Sequence, residues 1–195
     1  MASIILGTGN AHKLREMQAL LPGYALEPLP AGLEAAPETG RTFAENARQK
    51  AEHYARLLGR QVLADDSGLC VNALKGAPGI YSARYAGPGA MDAQNLKLLL
   101  ANLQGVTRRE ARFVCALSLA DPGGELVAAE GFCEGTILEA PDGEGGFGYD
   151  PVFLSKDLGV SFARAEAGQK NAVSHRARAC KLLAGIWPVE ANPCP

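Results

Sequence analysis

Two adjacent aspartates, Asp65 and Asp66, follow an apolar stretch in the first half of the chain. The residues before them, Gln61–Ala64, have the composition of a buried strand, and Ser67 and Gly68 come directly after. Because neighbouring carboxylates repel each other and are poor strand formers, we expect the strand to end at this pair. A plain turn would need only one Asp and a Gly. The pair therefore has two interpretations, a solvated turn or a site for a metal ion or acid–base chemistry, and this stretch by itself favours neither.

The composition is that of an ordinary globular protein. The 195 residues are 47% hydrophobic and 21% charged, which predicts one domain over residues 1–195 with a sizeable core. No apolar run is long enough to span a bilayer, and Met1–Gly7 predicts a first strand rather than a signal peptide, so we expect no membrane partner. Five cysteines without metal-site spacing predict a reduced, cytoplasmic protein without structural zinc. A net charge of -2 without a basic block predicts no nucleic-acid partner.

A strand, a glycine-containing turn and a helix are predicted at the start of the chain. Ser3–Leu6 is apolar, and the residues after the turn show helical spacing of apolar side chains. The first N–H groups of a helix point at such a turn and favour an anion there. The pattern is neither a dinucleotide fingerprint nor a Walker motif, because His12 stands where each requires glycine. The structural alternative is a helix cap by Thr8 or Asn10 beside a solvated Lys13.

A second helix is predicted to begin near Thr42, with its apolar residues on one face. The pattern Thr42-x-x-Glu45 is a capping box, in which the glutamate reaches back to the start of the helix. Glu45 therefore has a structural role available to it. The default interpretation of Lys50, on the same helix, is a solvated side chain.

Glycines crowd the segment Pro141–Pro151, which also carries Phe147 and Tyr149. A backbone that closely approaches a flat ligand would use such a loop, because glycine allows close contact and unusual backbone angles. An ordinary loop is the alternative.

The last helix is predicted to start near Ser174 and to carry His175 and Arg176 in its first turn, with Lys170 just upstream. Cations at the N-terminus of a helix oppose the helix dipole. An anionic or acceptor-rich group near them would explain their presence, whereas a helix capped by Ser174 with two exposed cations is the structural alternative.

The order of elements predicts an α/β fold with a mixed sheet, because strand–helix units come first and a hairpin follows in the middle. Strands are predicted at 3–6, 24–26, 61–64, 69–74, 111–120, 125–139 and 152–154, and helices after Asn10 and from about 42, 92 and 174.

Taken together, the candidate residues have the chemistry needed for a nucleoside polyphosphate with magnesium. Carboxylates bind Mg²⁺ and accept protons, lysines and arginines offset phosphate charge, and an aromatic ring stacks on a base. The acids are at positions 45, 65 and 66, the cations at 13, 50, 170 and 176, and the aromatic ring at 147.

The sequence resembles the inosine triphosphate pyrophosphatase family along nearly its whole length. The matching motifs occur in the family's order, and their number makes a chance match implausible. They are Thr8–Lys13, Thr42–Asn46, Ala64–Leu69, Pro78–Tyr85, Gly146–Pro151 and Lys170-Asn171-x-x-Ser174-His175-Arg176.

The resemblance implies hydrolysis of ITP, dITP and XTP to the monophosphate and pyrophosphate, with Mg²⁺ as cofactor. It also implies a homodimer and an elongated α/β fold, in which helices flank a long, twisted mixed sheet and two lobes enclose a central cleft. By the same resemblance, Asp66 accepts the proton of the attacking water and binds the metal, with Glu45 as a second ligand. The implied phosphate-binding residues are Thr8, Gly9, Asn10, Ala11, His12, Lys13, Lys50 and Ser67. Phe147 would stack on the base, and the other implied residues of the base pocket are Gly148, Tyr149, Asp150, Lys170, His175 and Arg176.

Two other functions are compatible with parts of the pattern. A phosphatase with an aspartyl nucleophile would carry Asp-x-Asp after the strand, but here the two acids are adjacent. A nucleotide sensor without turnover would gain nothing from carboxylates such as Glu45 and Asp66 beside phosphates. The pattern therefore favours a hydrolase.

Overall fold

The computed structural model describes residues 3–187. Its regular elements follow one another along the chain as strands and helices, with short 3₁₀ turns at Asn72–Leu74, Gly79–Arg84 and Asp150–Val152. The strands are β1 (Ile4–Leu6), β2 (Leu26–Pro28), β3 (Val62–Val71), β4 (Glu110–Asp121), β5 (Gly124–Ile137) and β6 (Phe153–Ser155). The helices are α1 (Ala11–Leu20), α2 (Phe43–Leu58), α3 (Asp92–Asn102), α4 (Ala167–Val173) and α5 (His175–Ile186).

The six strands form one mixed sheet in the order β2-β1-β3-β4-β5-β6. β1 pairs in parallel with β2 and with β3, and β5 pairs with β6 in the antiparallel sense. β4 and β5 are neighbours joined by two residues, which requires an antiparallel hairpin. The predicted α/β fold with a mixed sheet is thereby confirmed.

The prediction that the strand ends at the acid pair is wrong. β3 is one continuous strand, and Asp65 and Asp66 lie in its middle with exposures of 1% and 8%. The predicted returning strand at 69–74 is instead the second half of β3, followed by a 3₁₀ turn. Cations and an amide from other elements contact the two carboxylates, and these contacts offset the cost of burying charge in a strand.

Smaller differences concern the ends of elements and one helix. β2 begins two residues after its predicted start, and the sequence pattern did not predict α4. α4 has only seven residues and includes Gly168, so its helical signal is weak. α2 begins where predicted, with Thr42 as its N-cap.

The chain divides into two compact units. Among the described residues, the first unit comprises 3–66, 115–131 and 176–187, and the second comprises 67–114 and 132–175. The long strands β3, β4 and β5 each contribute residues to both units.

Each unit has its own hydrophobic core. In the first unit, apolar side chains of α1 and α5 pack with those of the central strands, including Leu6, Met17, Leu117 and Leu183. In the second unit, Leu99 of α3 belongs to a core that includes the aromatic side chains Phe113, Phe153 and Phe162. Within residues 3–187, every helix is too short or too polar to cross a bilayer.

Candidate functional site

The turn between β1 and α1 is organised as a helix cap. The side-chain oxygen of Asn10 accepts hydrogen bonds from His12 N at 2.9 Å and from Lys13 N at 3.3 Å. The hydroxyl of Thr8 accepts from Asn10 N at 3.2 Å. The predicted helix cap by Asn10 is therefore confirmed. Lys13 lies in the first turn of α1.

Lys13 is only partly solvated, and its ammonium pairs with Asp65 at 2.8 Å. The guanidinium of Arg176, at the start of α5, lies 3.6 Å from the same carboxylate oxygen and also pairs with Glu16 of α1. Burial alone would raise the pKa of Asp65, but the charges of Lys13, Arg176 and Lys50 outweigh it and hold the pKa below its usual range. Asp65 is therefore an anion at neutral pH.

Asp66 has a different environment from its neighbour. One carboxylate oxygen accepts from the amide of Asn46 at 3.1 Å, and the other pairs with Lys50 at 3.1 Å. Burial raises the pKa of Asp66, and the opposing effects of Lys50, Asn46 and Lys13 do not cancel that rise. The side chain is therefore a stronger proton acceptor than an exposed aspartate would be.

Lys50 also has more than one acidic partner. Its ammonium pairs with Glu38 at 3.0 Å as well as with Asp66, so the prediction of a solvated side chain is wrong. Burial alone would lower the pKa of Lys50, but the charges of Asp66, Asp65 and Glu38 raise it. We call the set of residues that these contacts join the charged cluster: Lys13, Glu16, Glu38, Asn46, Lys50, Asp65, Asp66 and Arg176.

Glu45 performs the capping role that its position predicts, with one difference. Its carboxylate accepts from Arg41 N at 2.6 Å, one residue before the cap, while Glu45 N donates to Thr42 Oγ1 at 3.1 Å. The next residue along α2, Asn46, is the one that contacts Asp66. Among residues 3–187, no group of three or more His, Cys, Asp or Glu side chains is arranged to hold a metal ion.

In the second unit, Asp150 organises the glycine-rich loop. One of its carboxylate oxygens accepts from Phe147 N at 2.9 Å and from the ammonium of Lys170 at 2.7 Å. Lys170 is buried, and its ammonium lies 5.0 Å from the centroid of the Phe147 ring and 5.6 Å from that of Phe162. Gly146 must be glycine, because its φ is +73° and an added Cβ would collide with the Asp150 carboxylate. We call Phe147, Asp150 and Lys170 the aromatic pocket.

Two further hydrogen bonds anchor this loop to the rest of the second unit. Gly148 N donates to the carboxylate of Asp92, the first residue of α3, at 2.7 Å. The hydroxyl of Tyr149 donates to Ser82 O at 2.8 Å. His175 is buried, and its ring stacks on Phe113 with centroids 4.8 Å apart and an interplanar angle of 13°.

The structure thus brings the predicted residues together in two groups. The first unit gathers Lys13, Lys50, Asp65 and Asp66, and it adds Arg176, which the resemblance had assigned to the base. The second unit gathers Phe147, Asp150 and Lys170. Of the other predicted residues, Ser67 is half-buried on β3, whereas Gly9, Ala11 and His12 are exposed.

Sequence reasoning missed four residues that organise these groups. Asn46 lies inside a recognised motif, so its position next to Glu45 was a usable signal. Ser82 likewise lies inside a recognised motif, Pro78–Tyr85. Glu16 and Asp92 gave no signal, because their partners are distant in the chain: Arg176 is 160 residues from Glu16, and Gly148 is 56 residues from Asp92.

The fold defines an α/β protein whose first unit presents cations suited to an anionic group and whose second unit presents an aromatic ring beside a buried ion pair. The chain belongs to the Ham1 family, whose model matches residues 4–186. It is 48% identical over 194 residues to a protein of Geobacillus kaustophilus named dITP/XTP pyrophosphatase, covering 96% of this chain and 95% of that relative. The dITP/XTP pyrophosphatase of Bacillus subtilis is 44% identical over 192 residues, covering 95% of this chain and 97% of that protein.

Solved structures agree with this assignment. The HAM1 protein of Coxiella burnetii matches with a TM-score of 0.86 and 39% identity, covering 95% of this chain and 98% of that one. The Ham1 protein of Staphylococcus aureus matches with a TM-score of 0.84 and 40% identity, covering 94% and 97%. The family predicted from the sequence motifs is therefore confirmed.

Proposed function

We propose that this chain hydrolyses nonstandard purine nucleoside triphosphates, ITP, dITP and XTP, to the monophosphate and pyrophosphate, and so removes them from the nucleotide pool. The observation that carries the proposal is the buried carboxylate of Asp66, which has a raised pKa and contacts both Asn46 and Lys50. Relatives that match this chain along nearly their full length bear the name dITP/XTP pyrophosphatase.

In this proposal, Asp66 accepts the proton of the water that attacks phosphorus. A general base must be deprotonated at working pH and yet hold a proton well, and burial moves the pKa of Asp66 in that direction. The amide of Asn46 fixes one oxygen, and Lys50 sits at the other, where it stabilises the carboxylate and adds positive charge for the phosphates.

The phosphates carry negative charge that repels a nucleophile, so cations must meet them before the base can act. Lys13 and Lys50 supply these cations from the first turn of α1 and from α2. The N–H groups at the start of α1 add their partial positive charge. We assign phosphate binding to Thr8, Gly9, Asn10, Ala11, His12, Lys13, Lys50 and Ser67.

The donor set fits Mg²⁺. Asp66 and Glu45 offer carboxylate oxygens, and Asn46, directly after Glu45, donates to Asp66, so both acids belong to the same part of the first unit. One or two protein carboxylates are sufficient, because Mg²⁺ takes its remaining ligands from water and substrate phosphates. When bound, the ion would offset phosphate charge and polarise the phosphoryl oxygens.

The base is assigned to the second unit. A purine stacked on Phe147 would lie on the ring face opposite Lys170. We assign the polar edge of the base to Asp150, Lys170, His175 and Arg176, with Gly148 and Tyr149 beside them. Arg176 also pairs with Glu16 and Asp65. Donors aimed at the oxygen on purine position 6 would disfavour adenine, whose amino group leaves them without an acceptor.

The remaining assignments follow the family resemblance. We propose a cytoplasmic homodimer in which residues 1–195 act as a single pyrophosphatase domain with two lobes and a central cleft.

A nucleotide panel with Mg²⁺ tests the proposal. We expect turnover of ITP, dITP and XTP with release of pyrophosphate, and a much lower kcat/KM for ATP. Phosphorus NMR of the products identifies the bond that breaks. Hydrolysis of ATP as fast as ITP would exclude the specificity, and release of orthophosphate from ITP would exclude the pyrophosphatase reaction.

A further inference from the structure

Asp65 is a buried carboxylate that joins the starts of two helices. Its Oδ2 lies 2.8 Å from the ammonium of Lys13, the third residue of α1, and 3.6 Å from the guanidinium of Arg176, the second residue of α5. The strand that carries Asp65 is central in the sheet and pairs with β1, which leads into α1. The carboxylate is therefore carried by a strand that is hydrogen-bonded on both sides.

Arg176 extends this contact back to α1. Its guanidinium also pairs with Glu16, which lies three residues after Lys13 and so on the same side of the helix. The order of contacts is Glu16, Arg176, Asp65, Lys13, with negative and positive charges alternating. Two of the four groups come from α1, so these contacts connect one side of that helix to β3 and to α5.

Of the two cations in this chain of contacts, Lys13 is the more exposed. Its side chain is 17% exposed, compared with 1% for the side chains of Asp65 and Arg176. A ligand can therefore meet the ammonium of Lys13, whereas the Asp65 carboxylate lies beneath it. Any effect of Asp65 on a bound phosphate is expected to pass through Lys13.

We propose that Asp65 is a positioning residue that holds the Lys13 ammonium ready for a substrate phosphate. This inference rests on the proposed function, in which Lys13 contacts the phosphates. It gives the first acid of the pair a role distinct from that of Asp66. A fixed cation binds a phosphate without the cost of ordering a long, flexible side chain.

The competing explanation is that Asp65 only neutralises the charge of Lys13. It predicts the opposite effect of Asp65→Asn on the affinity for phosphate. A carboxylate 2.8 Å from Lys13 reduces the attraction of that lysine for anions. If neutralisation were its whole effect, Asp65→Asn would tighten phosphate binding. If positioning dominates, the same substitution weakens it.

A double-mutant cycle on Asp65 and Lys13 tests the proposal, with inorganic tripolyphosphate as the probe in titration calorimetry. We expect Asp65→Asn to raise the Kd about tenfold and Lys13→Met to raise it at least as much. Because Asp65 acts through Lys13, the double variant should bind no more weakly than Lys13→Met alone. Parent-like or tighter binding by Asp65→Asn, or multiplication of the two effects in the double variant, would overturn the proposal.

The exposed acid Glu34 provides a matched control, because Glu34→Gln removes one negative charge from the same unit. It should leave the Kd unchanged. Thermal unfolding shows which variants fold. If Asp65→Asn does not fold, Asp65→Glu decides, because it keeps the charge but moves the carboxylate by one methylene: weaker binding supports positioning, and parent-like binding refutes it.

ITP turnover by the parent separates this inference from the proposed function. A parent that binds tripolyphosphate but does not hydrolyse ITP would refute the proposed function. The double-mutant cycle would then still show whether Asp65 acts through Lys13. A parent that hydrolyses ITP but shows independent effects of the two substitutions would refute the role of Asp65 alone.

Discussion

The charged cluster of the first unit and the aromatic pocket of the second are built in different ways. In the charged cluster, most contacts join one side chain to another across elements, as Lys13 and Lys50 do with the acids of β3. In the aromatic pocket, backbone N–H groups carry much of the structure, with Phe147 and Gly148 donating to Asp150 and Asp92. The first arrangement fixes charges, and the second fixes the shape of a loop.

This difference predicts a division of labour between the two groups. Charges attract any triphosphate to a similar extent, because all nucleotides carry the same phosphates. A loop of defined shape with a buried ion pair distinguishes one ring from another. Substitutions in the charged cluster should therefore affect all nucleotides alike, and substitutions in the aromatic pocket should affect them unequally.

The largest effect is expected for Asp66→Asn. The amide keeps the size of the side chain but cannot accept the proton of water, so kcat for ITP should fall by about a thousandfold, while nucleotide binding persists. Steady-state kinetics with calorimetry for binding checks this, with Glu34→Gln as the control. An Asp66→Asn enzyme that turns over at the parent rate would remove Asp66 from the role of base.

An intermediate effect is expected for Phe147→Leu, which keeps apolar volume but removes the stacking ring. Loss of stacking should weaken binding of ITP by about tenfold. Tripolyphosphate has no ring, so its Kd should stay at the parent value. Titration of both ligands gives the comparison, and equal loss for both would show that the two groups do not act separately.

The smallest effect concerns stability. The pKa of Asp66 is higher in the folded state than its ordinary value near 3.8, so ionising this carboxyl lowers the stability of the fold. This loss is absent when the pH is below the ordinary pKa and complete when the pH is above the raised pKa. At pH 7, Asp66→Asn should therefore raise Tm. The gain should disappear as the pH falls through that window. A lower Tm at pH 7 would show that the contacts with Asn46 and Lys50 outweigh the cost of burial.

In the parent protein, the contribution of Asp65 to stability should depend on pH in the opposite direction. Its folded-state pKa is lowered, so its contribution to stability is present above its ordinary value and is lost as the pH falls towards the lowered one.

Local patterns in the sequence predicted those parts of the site whose contacts are local. The cap by Asn10, the start of α2 at Thr42 and the loop around Phe147 all follow from residue types at short spacing. The path of β3 through its two acids did not, because strand propensity disfavours adjacent carboxylates and the compensating cations come from Lys13 and Arg176, far away in the chain.

The same reasoning explains the anchors that were missed. Asp92 and Ser82 matter because the fold brings Gly148 and Tyr149 to them, and no local pattern encodes that approach. Asn46 and Ser82 both lie in recognised motifs, but no local pattern predicted their hydrogen bonds with Asp66 and Tyr149.

The division of labour is tested most directly by one ratio, kcat/KM for ITP divided by kcat/KM for ATP, measured in two matched variants. Lys50→Gln and Lys170→Gln make the same chemical change at a lysine that pairs with an aspartate, one in each unit. We predict that Lys50→Gln lowers both values and leaves the ratio unchanged, whereas Lys170→Gln lowers the ratio by about tenfold or more. A ratio that changes as much in Lys50→Gln as in Lys170→Gln would contradict this account.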